Sequence, residues 1–221
     1  MFVPVRPRPS APGLPRRFAV LLAVLAALWV PALAGAQETS PLIGKPAPLL
    51  SGRAAFGTGL LNLNRMQKDI VQERDAQGNP IREGDRVKLR VVKYAVVLNF
   101  FATYCVPCVQ EIPTFNRVAK SYEGRPVKFV YVNVDTEKSA EEVRDFARQK
   151  GIEVEMMLPS VRYAVQAYKI DALPRIVVVD PEGVVTHVIM GFQADLAAQI
   201  GQILAQVLPA RPVRAPAKQA G

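Results

Sequence analysis

One stretch of twenty residues, Tyr94 to Pro113 (YAVVLNFFATYCVPCVQEIP), limits the folds open to this chain more than any other. Its first half is an apolar run with no helical period, bounded by a charged segment, which reads as a buried strand. Its second half reads as a helix from Cys105, with Pro107 in the first turn, where a missing N–H costs little. A C-x-x-C therefore sits where a buried strand hands over to a helix N-terminus. Cys105 and Cys108 are the only two cysteines in the chain.

The placement carries its own chemistry. A helix N-terminus gathers unpaired N–H groups and the positive end of the helix dipole, and so favours negative charge. A thiolate at Cys105 is stabilised there, with its pKa expected below that of a free thiol. The thiolate is the attacking species in disulfide exchange. Cys108, one turn on, is placed to attack a mixed disulfide at Cys105 and release the partner. Two plainer readings compete. A metal site needs further Cys or His ligands, and His187 is the only histidine, so no metal is expected. A structural bridge across so short a loop adds little stability. The spacing points to redox exchange, with the Cys105–Cys108 disulfide itself in place of a cofactor.

Residues 1–36 have the layout of a secretory signal. Arg6, Arg8, Arg16 and Arg17 precede the apolar run Phe18 to Val30, and Ala34-Gly35-Ala36 offers a small-x-small cleavage site. The apolar run is short for a membrane span, and an uncleaved anchor is the alternative. Gln37, not a cysteine, stands directly after the cleavage site, so no lipoprotein anchor is expected. The expected location is periplasmic or otherwise extracytoplasmic, membrane-anchored if the signal is retained. Disulfides persist there, which favours a motif that trades disulfides with other proteins. The formal charge of +9 shrinks accordingly: without the four signal arginines, 24 basic residues face 19 acidic ones, or +5. Arg211, Arg214 and Lys218 of a proline- and alanine-rich basic tail (209–221), expected to be disordered, supply three of those five. No basic patch with interleaved aromatics remains, so no nucleic-acid partner is expected.

The 221 residues suit one domain with extensions. Residues 37–93 form an N-terminal extension. Pro41, Pro46 and Pro48 indicate an extended lead-in, Leu60 to Leu63 a short strand or turn, and Met66 to Val71 weak helical character. Gln77-Gly78-Asn79-Pro80 is a turn signal. Arg86 to Val92 alternates, with Val87, Leu89 and Val91 on one side, as a half-exposed strand does. A hairpin is therefore expected around residues 70–92, and if this segment has a function it is to shape partner access. After Cys105 the helix runs to about Tyr122, with a kink expected at Pro113. Val127 to Val134 is a second buried strand. Ser139 to Lys150 is an amphipathic helix with a capping box, Ser139 and Glu142, ended by Gly151. Val154 to Leu158 is extended and Val161 to Tyr168 helical. Arg175 to Asp180 and Val184 to Met190 are strands about the turn Pro181-Glu182-Gly183, hence antiparallel, and Leu196 to Leu208 is a closing helix. Strands alternating with helices argue for an α/β fold with a central mixed sheet flanked by helices.

Over residues 94–208 the chain resembles the thioredoxin-like extracytoplasmic oxidoreductases of the TlpA/ResA type. Asn99-Phe-Phe-Ala-Thr-Tyr-Cys-Val-Pro-Cys followed by Glu111-Ile112-Pro113 carries the likeness, with Leu173-Pro174, Asp180-Pro181-Glu182-Gly183 and Gly191 behind it. The resemblance implies a thioredoxin fold for 94–208. It makes Cys105 the attacking thiol and Cys108 the resolving one, and Pro174 a cis-proline packed against the C-x-x-C loop, with Leu173 offering backbone groups to a substrate segment. The plain alternative for Pro174 is a strand-initiating proline. Thioredoxin carries a buried aspartate where Asn99 stands. In the ResA-like branch a glutamate at the place of Glu111 sits beside the cysteines, which implies a raised pKa and a proton shuttle for Cys108. An inert exposed glutamate is the alternative. Tyr104 and Phe101 stand where the family has tryptophans and are expected to keep an aromatic contact surface. Val106-Pro107 is the variable pair that influences redox poise, and with Tyr104 it faces the substrate.

The resemblance further implies a reductant of protein disulfides, acting on apocytochrome cysteines in cytochrome c maturation, with electrons from a membrane thiol donor. The same scaffold serves oxidants and isomerases, which redox potential separates. Peroxidases of the related peroxiredoxin class need a Pro-x-x-x-Thr-x-x-Cys arrangement that is absent around Cys105. Copper carriers of this fold use a wider cysteine spacing plus a histidine. A non-catalytic binding module is the remaining alternative. His187 reads as a surface or half-buried strand residue.

Overall fold

The computed structural model describes residues 40–209. The lead-in reaches β1 (Ser51–Ala54), β2 (Leu60–Asn62) and a one-turn helix, α1 (Leu63–Met66). A ribbon region follows, with β3 (Lys68–Gln72), β4 (Arg82–Glu83), β5 (Arg86–Val87) and β6 (Leu89–Lys93). Then come β7 (Ala95–Phe101), α2 (Val106–Ser121), β8 (Val127–Asn133), α3 (Ala140–Gln149), β9 (Glu155–Pro159), α4 (Val161–Ala167), β10 (Arg175–Val179), β11 (Val185–Met190) and α5 (Leu196–Val207). The expected signal (1–36) and the expected tail beyond residue 209 lie outside the described residues.

β7 is buried along its whole length, and its alternating side chains build two cores. Val97 and Phe101 face α2, α3 and α5 through Ile112, Phe115, Val143, Ala147 and Ile200. Val96, Leu98 and Phe100 face the other layer, with Leu42, Leu63, Met66, Ala164 and Tyr168. A strand covered on both faces is apolar on both, which accounts for the lack of alternation in β7, where Asn99 is the one polar side chain. Seven strands form one mixed sheet in the order β11-β10-β7-β8-β9-β1-β2. β7, β8 and β9 are parallel, while β10, β11, β1 and β2 add antiparallel edges. The capping box at Ser139 and Glu142 is formed, and Gly151 takes φ +66°. α2 runs from Val106 to Ser121 with Pro113 inside it.

The N-terminal region departs from the sequence reading in three ways. Residues 68–71 of the expected helical stretch belong to strand β3, because pairing with β6 overrides a weak local preference. The strand expected over 86–92 is broken at Lys88 into β5 and β6. β3 and β6 form a two-stranded ribbon, with β4 and β5 in its tip. Leu89 and Val91, with Ile70 opposite Val91, face solvent. Strand parity explains this, since β6 runs directly into the fixed register of β7 and turns Val92 rather than Val91 inward. The lead-in opens with a turn at residues 41–44 where extended chain was expected, the Ile43 N–H donating to the Ser40 carbonyl and the Lys45 N–H to the Leu42 carbonyl, and Gly44 to Ala47 is hydrogen-bonded to the β10–β11 turn through Gly183 and Val185.

Candidate active site

Cys105 is the N-cap of α2, and its sulfur accepts the Cys108 N–H at 3.3 Å. Pro107 occupies the first turn. The two cysteines are joined as a disulfide, with their Cα atoms 5.2 Å apart. They differ in access. Cys105 is half-buried and flanked by the exposed Tyr104 and Val106, whereas Cys108 is only 3% exposed and lies in the core. Tyr104, Cys105, Val106 and Pro107 form one side of a groove of about 620 Å³. Val161 and Val165 of α4, with Ile170 to Leu173, form the other.

Leu173 thus meets Cys105 across the groove. Neither its N–H nor its carbonyl is bonded to another backbone group among the described residues. The Leu173–Pro174 bond is cis, Pro174 is buried, and its carbonyl accepts the Gly191 N–H at 2.9 Å. Arg175, which sequence reasoning saw only as a strand residue, is 2% exposed. Its guanidinium donates to the Lys169 carbonyl and pairs with Asp171, tying down the loop that carries Leu173. No local pattern announces this, because an arginine at the start of a strand is ordinarily a solvated residue.

Glu111 sits on the same face of α2 as Cys108, three residues on, but inside the protein rather than in the groove. It is 2% exposed, so the reading of an exposed, inert glutamate does not hold. The Gln193 N–H donates to Oε1 at 3.2 Å, and Oε2 has no partner among the described residues. Burial raises the carboxyl pKa to about 7, against the opposing pull of the Gln193 hydrogen bond. Tyr131 lies close by: burial and the Glu111 charge both push its phenol upward. Its hydroxyl and the Asn99 Oδ1, from paired positions on β8 and β7, are also buried without partners among the described residues. Phe101 offers partners no surface, contrary to the sequence reading. It is 1% exposed, packed on Tyr131 and Phe146, because its position on β7 points into the α2 layer. His187 is half-buried on β11, and burial lowers its pKa. Among the described residues no group of three His, Cys, Asp or Glu side chains could hold a metal ion.

The sequence matches the AhpC/TSA family over residues 71–188. It is 31% identical over 145 residues to the thiol-disulfide oxidoreductase ResA of Bacillus subtilis (strain 168), covering 64% of this chain and 80% of that protein. Among solved structures it is similar to a thioredoxin-family thiol:disulfide interchange protein from Chlorobium tepidum TLS, with 25% identity, TM-score 0.54, and coverage of 74% of this chain and 96% of that one. The fold is shared with a thiol:disulfide interchange protein from Bacteroides sp. at 16% identity and TM-score 0.57, over 78% of this chain and 95% of that one. A thioredoxin-like sheet, a C-x-x-C at the mouth of its first long helix and this kinship lead to one assignment: the chain belongs to the AhpC/TSA family, as a thiol–disulfide oxidoreductase of the ResA-like type.

Proposed function

We propose that this oxidoreductase is an exported reductant of protein disulfides, with Cys105 as the attacking thiol, Cys108 as the resolving thiol and Glu111 as the proton acceptor. The observation that carries the reading is the unequal access of the two sulfurs. One faces a groove, while the other is buried beside a carboxyl able to take a proton near neutral pH. In the reduced enzyme the Cys105 thiolate attacks one sulfur of the substrate disulfide, and the other substrate sulfur leaves as a thiolate. The substrate segment lies across Tyr104, Val106 and Pro107 and pairs with the free backbone groups of Leu173, beside Pro174. Glu111 takes the Cys108 proton, and the Cys108 thiolate attacks the Cys105 sulfur of the mixed disulfide. The second substrate sulfur departs as a thiolate. Two electrons have passed to the substrate, leaving the Cys105–Cys108 disulfide seen in the structure. A membrane thiol donor returns the two electrons for the next cycle. The resemblance to the TlpA/ResA type supports cytochrome c maturation as the setting and the N-terminal signal as the route of export.

The test combines trapping with a potential. Cys108→Ser should accumulate a mixed disulfide between Cys105 and a protein substrate, and Cys105→Ser should not. The equilibrium potential of the pair should lie nearer the thioredoxin value of about −270 mV than the DsbA value of about −120 mV. A potential near the latter makes the protein an oxidant or isomerase, and failure to trap any adduct sinks the assignment of Cys105.

A further inference from the structure

We propose that Asp135 is a positioning residue for Cys105: its buried carboxylate pins the turn that carries the nucleophile and holds a negative charge behind it, which keeps the cysteine pair on the reducing side. Asp135 lies just beyond β8 and is 6% exposed. Its carboxylate accepts the Thr103 N–H at 3.0 Å, the Thr103 hydroxyl at 2.9 Å and the Asn133 side-chain amide at 2.5 Å. The Asp135 N–H donates back to Asn133 Oδ1 at 3.3 Å. Thr103 is therefore fixed by both backbone and side chain, and the Cys105 N–H closes the turn on the Ala102 carbonyl at 3.1 Å. The aim of the Cys105 sulfur at the α2 N-terminus depends on this turn.

The charge acts as well as the geometry. All three donors are neutral, and no cation pairs with Asp135 among the described residues. Thr103 precedes Cys105 by two residues, so chain geometry puts the carboxylate at most about 12 Å from the Cys105 Cα. Besides the Cys108 thiol, the ionisable groups that the described residues place near Cys105 include Tyr104 beside it, Asp171 across the groove with its charge paired to Arg175, and Glu111 further along α2. A negative charge on the β8 side opposes the stabilisation that the helix N-terminus gives the thiolate. A stabilised thiolate favours the reduced form and makes a pair more oxidising. A destabilised one does the reverse, so Asp135 makes the potential more negative.

The inference rests on Cys105 as the attacking thiol, which Cys105→Ser tests separately: exchange surviving that change refutes the parent reading whatever Asp135 does. In the full chain, Asp135→Asn should lower the apparent pKa in the alkylation profile of Cys105. It should shift the glutathione equilibrium toward the dithiol by about three- to tenfold, or about 14 to 30 mV. Thr103→Val keeps the charge but loses one anchor. Its potential should stay within twofold in equilibrium constant while turnover on protein disulfides falls several-fold, and Thr103→Ser should restore turnover. A lowered melting temperature with unmoved alkylation profile and potential in Asp135→Asn would reduce Asp135 to a structural residue and overturn the proposal. Should Asp135→Asn fail to fold, Thr103→Val decides, and unchanged turnover there overturns it.

Discussion

Glu111 shows how one residue's surroundings decide its chemistry. Its spacing from Cys108 is visible in the sequence, but helix position alone leaves open a solvated carboxylate or a buried acid. The fold decides by covering α2 with the loop at Gln193, and burial raises the carboxyl to about 7 from an ordinary 4.5. The sign of the linked stability follows. An acid whose folded pKa is raised binds its proton more tightly when folded, so its contribution is complete below about pH 4.5 and is lost as pH rises through about 7. The difference corresponds to about 3 kcal/mol. Glu111→Gln should therefore match the wild type in urea stability near pH 4 and exceed it by about 1–3 kcal/mol at pH 8. At pH 7 the same change should slow exchange about tenfold or more and remove an inflection near neutrality from the pH–rate profile. A pH-independent stability difference together with an unchanged rate would return Glu111 to a structural role.

At the level of elements, legibility followed how local the cause was. β7 and α2 declare themselves through an apolar run without alternation and a proline in the first helical turn. α3 does so through a capping box closed within four residues. The β10–β11 turn is equally local, built on Asp180 accepting from the Glu182 and Val184 N–H groups. What escaped the sequence is held by distant partners. Thr103 and Asp135 meet across 32 residues, and the outward face of β6 follows from a register set downstream. β1 is the clearest case, since Ser-Gly-Arg-Ala has neither alternation nor β-branched residues and becomes a strand by pairing with β9. Gly52 allows that approach, because a Cβ there would stand 2.5 Å from the Leu158 carbonyl oxygen. Gly52→Val should cost about 2 kcal/mol or more in urea unfolding while leaving exchange per folded molecule intact, β1 being separated from β7 by β8 and β9. A loss under about 0.5 kcal/mol, the range of an ordinary surface substitution, would mean that β1 can part from β9 at little cost.

The molecule as a whole is divided along β7. Cys105 follows its C-terminal end and the ribbon precedes its N-terminal end, about 20 Å apart for a seven-residue strand. The root of the ribbon is fastened to the domain. The Tyr94 N–H donates to the Gln67 carbonyl, Lys128 pairs with Asp69 at 3.1 Å and covers the Tyr94 ring, and Lys93 pairs with Glu182 at 3.3 Å. Among the described residues, the hydrogen bonds and ion pairs of its tip, residues 73–88, join tip residues to one another. Such a tip cannot steer chemistry at Cys105 through packing, but it can meet a large partner. Replacing residues 74–87 by Asn-Gly, a two-residue turn suited to closing the Glu73–Lys88 pair, should preserve the ribbon root. The rate on a small disulfide should then stay within about twofold of wild type, because only the groove and the cysteine pair take part. If the ribbon shapes partner access, the rate on a protein disulfide should fall at least fivefold in the same variant. Equal rates on both substrates would remove the ribbon from recognition, and a comparable loss on both would show that the two ends of β7 are coupled after all.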